Sequence, residues 1–561
     1  MSDYQLSIIN KQLTGSTHRC CLLWSSIFCI KNWRIANLLI IANCLLIIGN
    51  CSAQLPAKYL ITFKDKTNSP YSVTKPLEFL SQRSVNRRQK QNITVKTRDL
   101  PVNPSYISEI KKIGAKVWYT SRWMNSALIQ TSEANLQTIL KLPFVKGLEI
   151  NSSIDSPSSR GSRRVSKFES LENEAYNYGF ARIQNEMIGV DAMHESGFKG
   201  EGMLIGVFDS GFYKTDSIGA FKHLFDEKRI VGTYDFVKKE VSVYEDDDHG
   251  TGVLSCMGAF LEGEFIGTAP KASYLLLRTE DAPSEYIIEE ANWLFAAEYA
   301  DSVGVDLINS SLGYTTFDDE STNHTYEQLD GNTTIAARAA DWAASVGIIC
   351  VVSAGNDGNS DWKYISTPAD ADSIITVGSV DANRQYATSS SRGIPTDNRI
   401  KPDLVAMGRG VALITPENQV SSASGTSFSS PILCGMIAGY WQANPSLTAM
   451  QIMDNVRKSG SQASKPDKIL GYGIPNLFKK DKKSLFIVYP NPSKNEVTIE
   501  INDFKGISYD LNIYDISGKF IFNETIKNRI QTISVEKIPS GIYFLRVGNE
   551  EKSSVVKLIK E

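Results

Sequence analysis

Met203-Leu204-Ile205-Gly206-Val207-Phe208-Asp209-Ser210-Gly211 is an apolar run that ends abruptly in a carboxylate, a hydroxyl and a glycine. An apolar run without polar alternation is the pattern of a strand covered on both faces. Four further runs share it, at residues 272–277, 305–309, 348–353 and 374–380. Helical stretches fall between them. Residues 284–303 stop before Gly304, and residues 334–346 follow Thr333 and stop before Gly347, with hydroxyls and glycines where helix ends need caps. Strand and helix alternating in this way predict an α/β fold, a doubly wound and mainly parallel sheet, over residues 178–480.

Outward from this region the patterning changes. Residues 54–150 mix strand alternation (59–63, 115–119, 125–130, 145–150) with helical stretches (76–89, 106–114, 132–142), which predicts a small α+β unit. Residues 151–177 read as an exposed linker. Its first twenty residues hold eight serines with Arg160, Arg163, Arg164 and Lys167, a composition open to proteolytic nicking. Residues 485–561 show only short alternating runs between turn signals, so a small all-β sandwich is expected there.

At the N-terminus, Lys31 and Arg34 precede an apolar run over residues 35–48, and Cys51-Ser52-Ala53 offers small residues for cleavage. Residues 1–53 therefore read as an export signal with a long start. The run is short of the roughly 20 residues of a membrane span, although the apolar residues 20–30 keep an anchored alternative open.

The whole chain has 561 residues, 42% hydrophobic and 22% charged, which excludes a disordered or fibrous protein. Its 59 basic and 62 acidic residues leave a net charge of −3, giving no global field for nucleic acid. Five of eight cysteines lie in the first 51 residues; Cys256, Cys350 and Cys434 sit in apolar stretches without metal-type spacing and read as buried thiols.

In open α/β sheets ligands bind beyond the carboxyl ends of the strands, and four polar groups fall there or at helix starts. They are Asp209, His249 in Asp248-His249-Gly250-Thr251-Gly252, Asn356 after Ala354-Gly355, and Ser427 in Ser424-Gly425-Thr426-Ser427. Taken singly, each reads equally as a cap, a turn residue or a structural histidine. Together they supply a hydroxyl nucleophile, an imidazole base, a carboxylate to orient it and an amide donor for an oxyanion, the parts of acyl transfer. The run Glu245-Asp246-Asp247-Asp248 reads as a solvated loop, with a calcium site or a raised histidine pKa as alternatives.

The segments Val207-Phe208-Asp209-Ser210-Gly211, His249-Gly250-Thr251-Gly252-Val253, Ser353-Ala354-Gly355-Asn356-Asp357-Gly358 and Gly425-Thr426-Ser427-Phe428-Ser429-Ser430-Pro431 resemble the signature blocks of subtilisin-like (S8) serine endopeptidases, in that family's order. The resemblance implies Asp209, His249 and Ser427 as a triad and Asn356 as oxyanion donor. It also implies Ser310, Ser311, Leu312 and Gly313, with Ala354 and Gly355, as substrate-binding residues, Ser310-Ser311-Leu312-Gly313 being the edge along which an extended peptide is laid. Gly252 departs from the family, which commonly has a second histidine there, and Phe428-Ser429-Ser430 replaces a common Met-Ala-Ala. No cofactor is implied for the chemistry, and a structural calcium ion has no assignable ligands. Asp357, beside Asn356, implies a preference for basic side chains in the specificity pocket.

On the same footing, residues 54–150 resemble the family's inhibitory propeptide, an intramolecular partner cut away in the linker. Tyr489-Pro490-Asn491-Pro492-Ser493, Tyr514-Asp515-Ile516-Ser517-Gly518-Lys519, Ser540-Gly541-Ile542-Tyr543-Phe544 and Lys557-Leu558-Ile559-Lys560 resemble a C-terminal sorting domain of the bacterial type IX secretion system. The expected protein is a secreted or cell-surface monomer acting on proteins or peptides, with the secretion machinery as partner and no nucleic acid. The rival is a catalytically silent binding or adhesion protein on the same scaffold.

Overall fold

The computed structural model describes residues 56–155, 169–170, 178–393, 399–478, 485–502, 504–549 and 553–561. The export signal and most of the Ser/Arg linker lie outside the described residues. The α/β fold expected of the central region is present as seven parallel strands. Their order across the sheet is Leu404–Met407, Ile375–Val380, Ile349–Ser353, Leu307–Ser310, Leu204–Asp209, Ser273–Arg278 and Ile230–Asp235.

The apolar runs are explained by burial on both faces. Ile205 and Val207 pack with the helices His249–Gly258 and Thr426–Ala443 on one side, whereas Leu204 and Phe208 pack with Ile288–Val303 and Ile335–Ser345 on the other. Ile349 and Val351 alternate with Cys350 and Val352 in the same way. Cys256, Cys350 and Cys434 are buried free thiols. Two strands carried no sequence signal, Ile230–Asp235 and Leu404–Met407, and both are sheet edges. The first is only partly buried along most of its length and the second is four residues long, so neither writes a long apolar run. Helix starts also moved: Thr334 caps Ile335–Ser345, its Oγ1 accepting from the Ala337 N–H, and the helix expected from residue 284 begins at Ile288.

The N-terminal unit is a four-stranded antiparallel sheet in the order Lys116–Ser121, Ser126–Thr131, Ala57–Phe63, Val145–Leu148. Tyr59 and Ile61 face its own helices Pro104–Lys112 and Glu133–Ile139, while Leu60 and Leu128 turn to the α/β domain. The helix expected over residues 76–89 is split into a short 3-10 turn, Pro76–Glu78, and the helix Gln82–Lys90 capped by Ser81. The C-terminal region is all-β, two antiparallel sheets of three and four strands sharing one core that includes Val497, Ile499, Leu511 and Leu545.

The N-terminal unit is held by charge as well as by apolar packing. Asp301, fully buried near the end of Ile288–Val303, accepts from Arg87, Arg88 and Arg122. Burial alone raises a carboxyl pKa, but Arg122, Arg87 and Arg88 outweigh it and hold Asp301 below the usual range. Glu298, one turn earlier, accepts from Ser121 Oγ and from the N–H groups of Arg122 (2.9 Å) and Trp123 (3.1 Å). Breaking a buried pair leaves uncompensated charge. Asp301→Ala is therefore expected to destabilise the full chain by about 3–5 kcal/mol, read as a fall in the denaturant midpoint; an unchanged midpoint would reject this account.

Candidate active site

Asp209 ends the strand Leu204–Asp209 and is completely buried. Its Oδ1 accepts from the Ser210 N–H (2.9 Å), Ser210 Oγ (3.3 Å) and His249 Nδ1 (2.8 Å). His249 is the first residue of its helix, and its backbone N–H donates to Asp247 Oδ1 (2.9 Å), which also accepts from Ser210 Oγ (3.0 Å). A Cβ on Gly250 would lie 2.3 Å from the Gly211 carbonyl and 2.9 Å from Asp209 Cβ, so only glycine after His249 lets the two segments close.

The acidic run before His249 is therefore not simply a solvated loop. Asp246 pairs with Lys238 (2.7 Å) and Arg278 (3.4 Å), and Asp247 tethers the histidine's helix. Sequence reasoning did not single out Asp247 from its neighbours, because nothing in a run of four acids tells which one faces inward. Burial disfavours the His249 cation, yet the Asp209 charge and hydrogen bond, with Asp247 and Asp248, win and raise its pKa to about 9.

Ser427 is the second residue of Thr426–Ala443, in the first turn of the helix. Its N–H is one of those that a helix start leaves without an intrahelical partner, and the helix dipole adds positive potential there. Pro431 sits four residues on and has no N–H to give to the Ser427 carbonyl. That carbonyl accepts from Ser311 Oγ instead (2.7 Å), and Ser427 Oγ donates to the Ser311 carbonyl (3.3 Å) and is not hydrogen-bonded to His249. Ser430 Oγ reaches Asn309 Oδ1 (2.8 Å), which pins the helix to the central strand beside Asp209.

Asn356 follows the strand Ile349–Ser353 through Gly355, whose φ of +104° suits glycine. Asn356 Oδ1 accepts from the Thr426 N–H (2.9 Å) and Oγ1 (3.2 Å), which fixes the amide so that Nδ2 is the group left to donate. His249, Asn356 and Ser427 line one cleft of about 620 Å³. Ser311, Leu312, Gly313 and Gly355 line it too, whereas Ser310 and Ala354, expected among the substrate-binding residues, lie fully buried behind the wall. Ser310 Oγ instead accepts from Trp293 Nε1 (3.0 Å). The N–H groups of Leu312 and Gly313 make no hydrogen bond among the described residues, so an edge stands open to an added strand. Asp357 lines the cleft as well, its carboxyl pKa raised by burial. Asp247, the Ser311 carbonyl and Thr426 are the site groups that the sequence did not announce.

Comparison with known proteins bears on this geometry. Residues 58–167 match a family model described as Peptidase S8 propeptide domain, Bacteroidota, residues 200–473 match the Subtilase family, and residues 487–561 match a Secretion system C-terminal sorting domain. The chain is 29% identical over 308 residues to Serine protease AprX of Bacillus subtilis (strain 168), covering 49% of this chain and 65% of AprX, just under two thirds of that relative. It is 28% identical over 279 residues to Subtilisin DY of Bacillus licheniformis, covering 49% and 89%. It is 25% identical over 356 residues to Subtilisin E of Bacillus subtilis (strain 168), covering 63% and 80%.

The electrostatics give a direct prediction. Followed by NMR of histidine-labelled protein, the His249 ring is expected to titrate with a midpoint near 9. Asp209→Asn removes the largest raising influence and should move that midpoint down by more than one unit, because a pKa unit corresponds to about 1.4 kcal/mol and a charged hydrogen bond is worth at least that. A midpoint that stays near 9 in the variant would disprove the coupling.

Proposed function

Residues 200–473 being a subtilase-family domain, set between an S8 propeptide domain and a type IX sorting domain, we propose that the protein is a secreted serine endopeptidase made as an autoinhibited precursor. The observation that carries the reading is the 2.8 Å bond between His249 Nδ1 and buried Asp209, in the same cleft as a serine at a helix start. Asp209 holds the imidazole in the tautomer whose Nε2 accepts a proton. His249 takes the Ser427 proton as Oγ, turned about χ1 from the Ser311 carbonyl, attacks the peptide carbonyl. The oxyanion is met by the Ser427 N–H and Asn356 Nδ2. Collapse of the adduct releases the amine, which receives the proton from His249, and water then hydrolyses the acyl-enzyme by the same path.

The flanking units fit this reading. In the precursor, the Arg87, Arg88 and Arg122 contacts to Asp301 and the bond from the Ile288 N–H to the Ile154 carbonyl (3.2 Å) would hold the N-terminal unit beside the cleft. Cleavage within residues 151–170 would release it. The division into 1–53 signal, 54–150 propeptide, 151–177 linker, 178–480 peptidase and 485–561 sorting domain is part of the proposal. So are a monomeric product and removal of the sorting domain on export.

Three measurements test it. Ser427→Ala is expected to accumulate as uncut precursor and to lose labelling by a serine-directed phosphonate; labelling that persists in the variant would refute Ser427 as nucleophile, and an unlabelled wild-type protein would favour the silent binding scaffold. Asn356→Ala should lose about 10² to 10³ in turnover, a magnitude known from the relative subtilisin. Because the base form of His249 grows as pH rises through about 9, kcat/KM should climb by roughly tenfold per pH unit between 7 and 8.5. A flat profile there would contradict this assignment.

A further inference from the structure

One wall of the cleft has no part in that chemistry. Glu280, Glu285 and Glu289 all line it, and their carboxylate oxygens lie within 4.8 Å of one another. Glu280 follows the strand Ser273–Arg278, and Glu289 lies in the first turn of Ile288–Val303. Glu280 Oε1 accepts from Tyr314 Oη (2.5 Å) and Thr279 Oγ1 (3.0 Å). Tyr314 directly follows the open edge Ser311-Leu312-Gly313, so the acids are tied to the surface that would receive a peptide.

The cluster is electrically incomplete. Glu289 is 2% exposed; its Oε1 accepts from the Asp281 N–H (2.9 Å), while Oε2 is buried with no donor and faces the Glu280 carboxyl. Among the described residues no lysine or arginine forms an ion pair with Glu280 or Glu289. Arg278, at the end of the strand leading into this wall, is committed to Asp235, Asp246 and Asp281. Burial first of all pushes Glu280 up to about 7 and Glu289 well above the carboxylate range, so the empty pair retains a proton near neutrality. Buried acids that face each other without a counter-charge are costly. An ammonium or guanidinium on a long apolar stem would displace that proton and relieve the cost.

We infer that Glu280, Glu285 and Glu289 form a specificity subsite for a lysine or arginine side chain of a substrate laid along Ser311-Leu312-Gly313. The inference rests on the reading of Ser427 as nucleophile. Asn356 and Ser427 fix the carbonyl that is attacked, whereas the acids hang from Tyr314, three residues and about 10 Å along an extended edge from Ser311. The basic residue therefore stands away from the cleaved bond, at a position distinct from the one beside Asp357. Charge in the chain itself agrees. Asp155 shares a neighbouring cavity with Ser284 and Glu289, Glu169–Ser170 pairs with Ser421–Ser422 just ahead of Ser424 on the cleft, and the sequence joining them carries Arg160, Arg163, Arg164 and Lys167.

The test uses protein processed from the full chain and fluorogenic peptides that differ only by lysine, norleucine or glutamate at each position from the second to the fifth before the cleaved bond. Rates are expressed per site titrated with a serine-directed phosphonate. At one position lysine should exceed norleucine in kcat/KM by at least about tenfold, and Glu289→Gln and Glu285→Gln should each bring the ratio to within about threefold, the size of one charged hydrogen bond. Glu285 is only partly buried, so its variant keeps the test open if Glu289→Gln does not fold. Equal rates at every position, or a preference that survives both substitutions, would overturn the inference. Tight calcium binding that is lost in Glu289→Gln, without any basic preference, would reassign the cluster to a metal and overturn it as well. A protein that takes the label but shows no preference fails here alone; one that takes no label and cuts no peptide fails the parent reading and this one with it.

Discussion

The cleft exists because the sheet changes its direction of winding between two neighbouring strands. Leu204–Asp209 and Leu307–Ser310 lie side by side although about a hundred residues of chain separate them. After the first, the chain builds Ile230–Asp235 and Ser273–Arg278 on one side, and after the second it builds the remaining three strands on the other. No connection crosses the carboxyl ends at that point, so a crevice is left there. Asp209 closes one strand and Ser311 follows the other, which places a buried acid and an open peptide edge on the two lips of one opening.

How far this was legible depended on how each feature is written in the chain. The five interior strands are apolar on both faces and show as runs; Ile230–Asp235 and Leu404–Met407 lie at the edges and do not. Asp209, His249, Asn356 and Ser427 each sit where an element begins or ends, beside glycines that permit the close approach, and so they stood out. Asp247 and Glu289 did not. Both are acids among acids, at Asp246-Asp247-Asp248 and Glu289-Glu290, and which one turns inward is decided by strand and helix register. Ser310 and Ala354 erred the other way: they flank residues that line the cleft, but as strand ends packed against Trp293 and the core they are buried.

The start of the Ser427 helix shows how a local defect becomes a long-range tie. A proline six residues into a helix ordinarily costs a hydrogen bond and a carbonyl left open. Here the open carbonyl belongs to Ser427 itself, and Ser311 on the peptide edge fills it. With Ser430 bound to Asn309 and Thr426 bound to Asn356, two neighbouring strands of the sheet, Leu307–Ser310 and Ile349–Ser353, and the turns that follow them hold three groups near the helix start. The serine backbone is thus fixed relative to Ser311 and Asn356 independently of the histidine, which leaves χ1 as the torsion that aims its Oγ.

The same cleft is acidic on more than one side. Asp209, Asp247 and Asp248 raise the His249 pKa, whereas burial raises those of Glu280 and Glu289, with the Glu280 charge adding to the rise at Glu289. The two effects have opposite consequences for a bound cation. Charge near the histidine is balanced by the imidazolium that the cleft itself stabilises, so it needs no ligand. Charge on the far wall has no such partner among the described residues and is held down by protons that a ligand would have to displace. If Ser427 and His249 react as proposed, a cationic side chain would be favoured away from the reacting atoms and not beside them, where it would compete with the imidazolium for the same carboxylates. On the proposed reading, selectivity and chemistry would draw on separate acids, so that a preference for a basic substrate would not lower the basicity of the group that accepts the proton from Ser427.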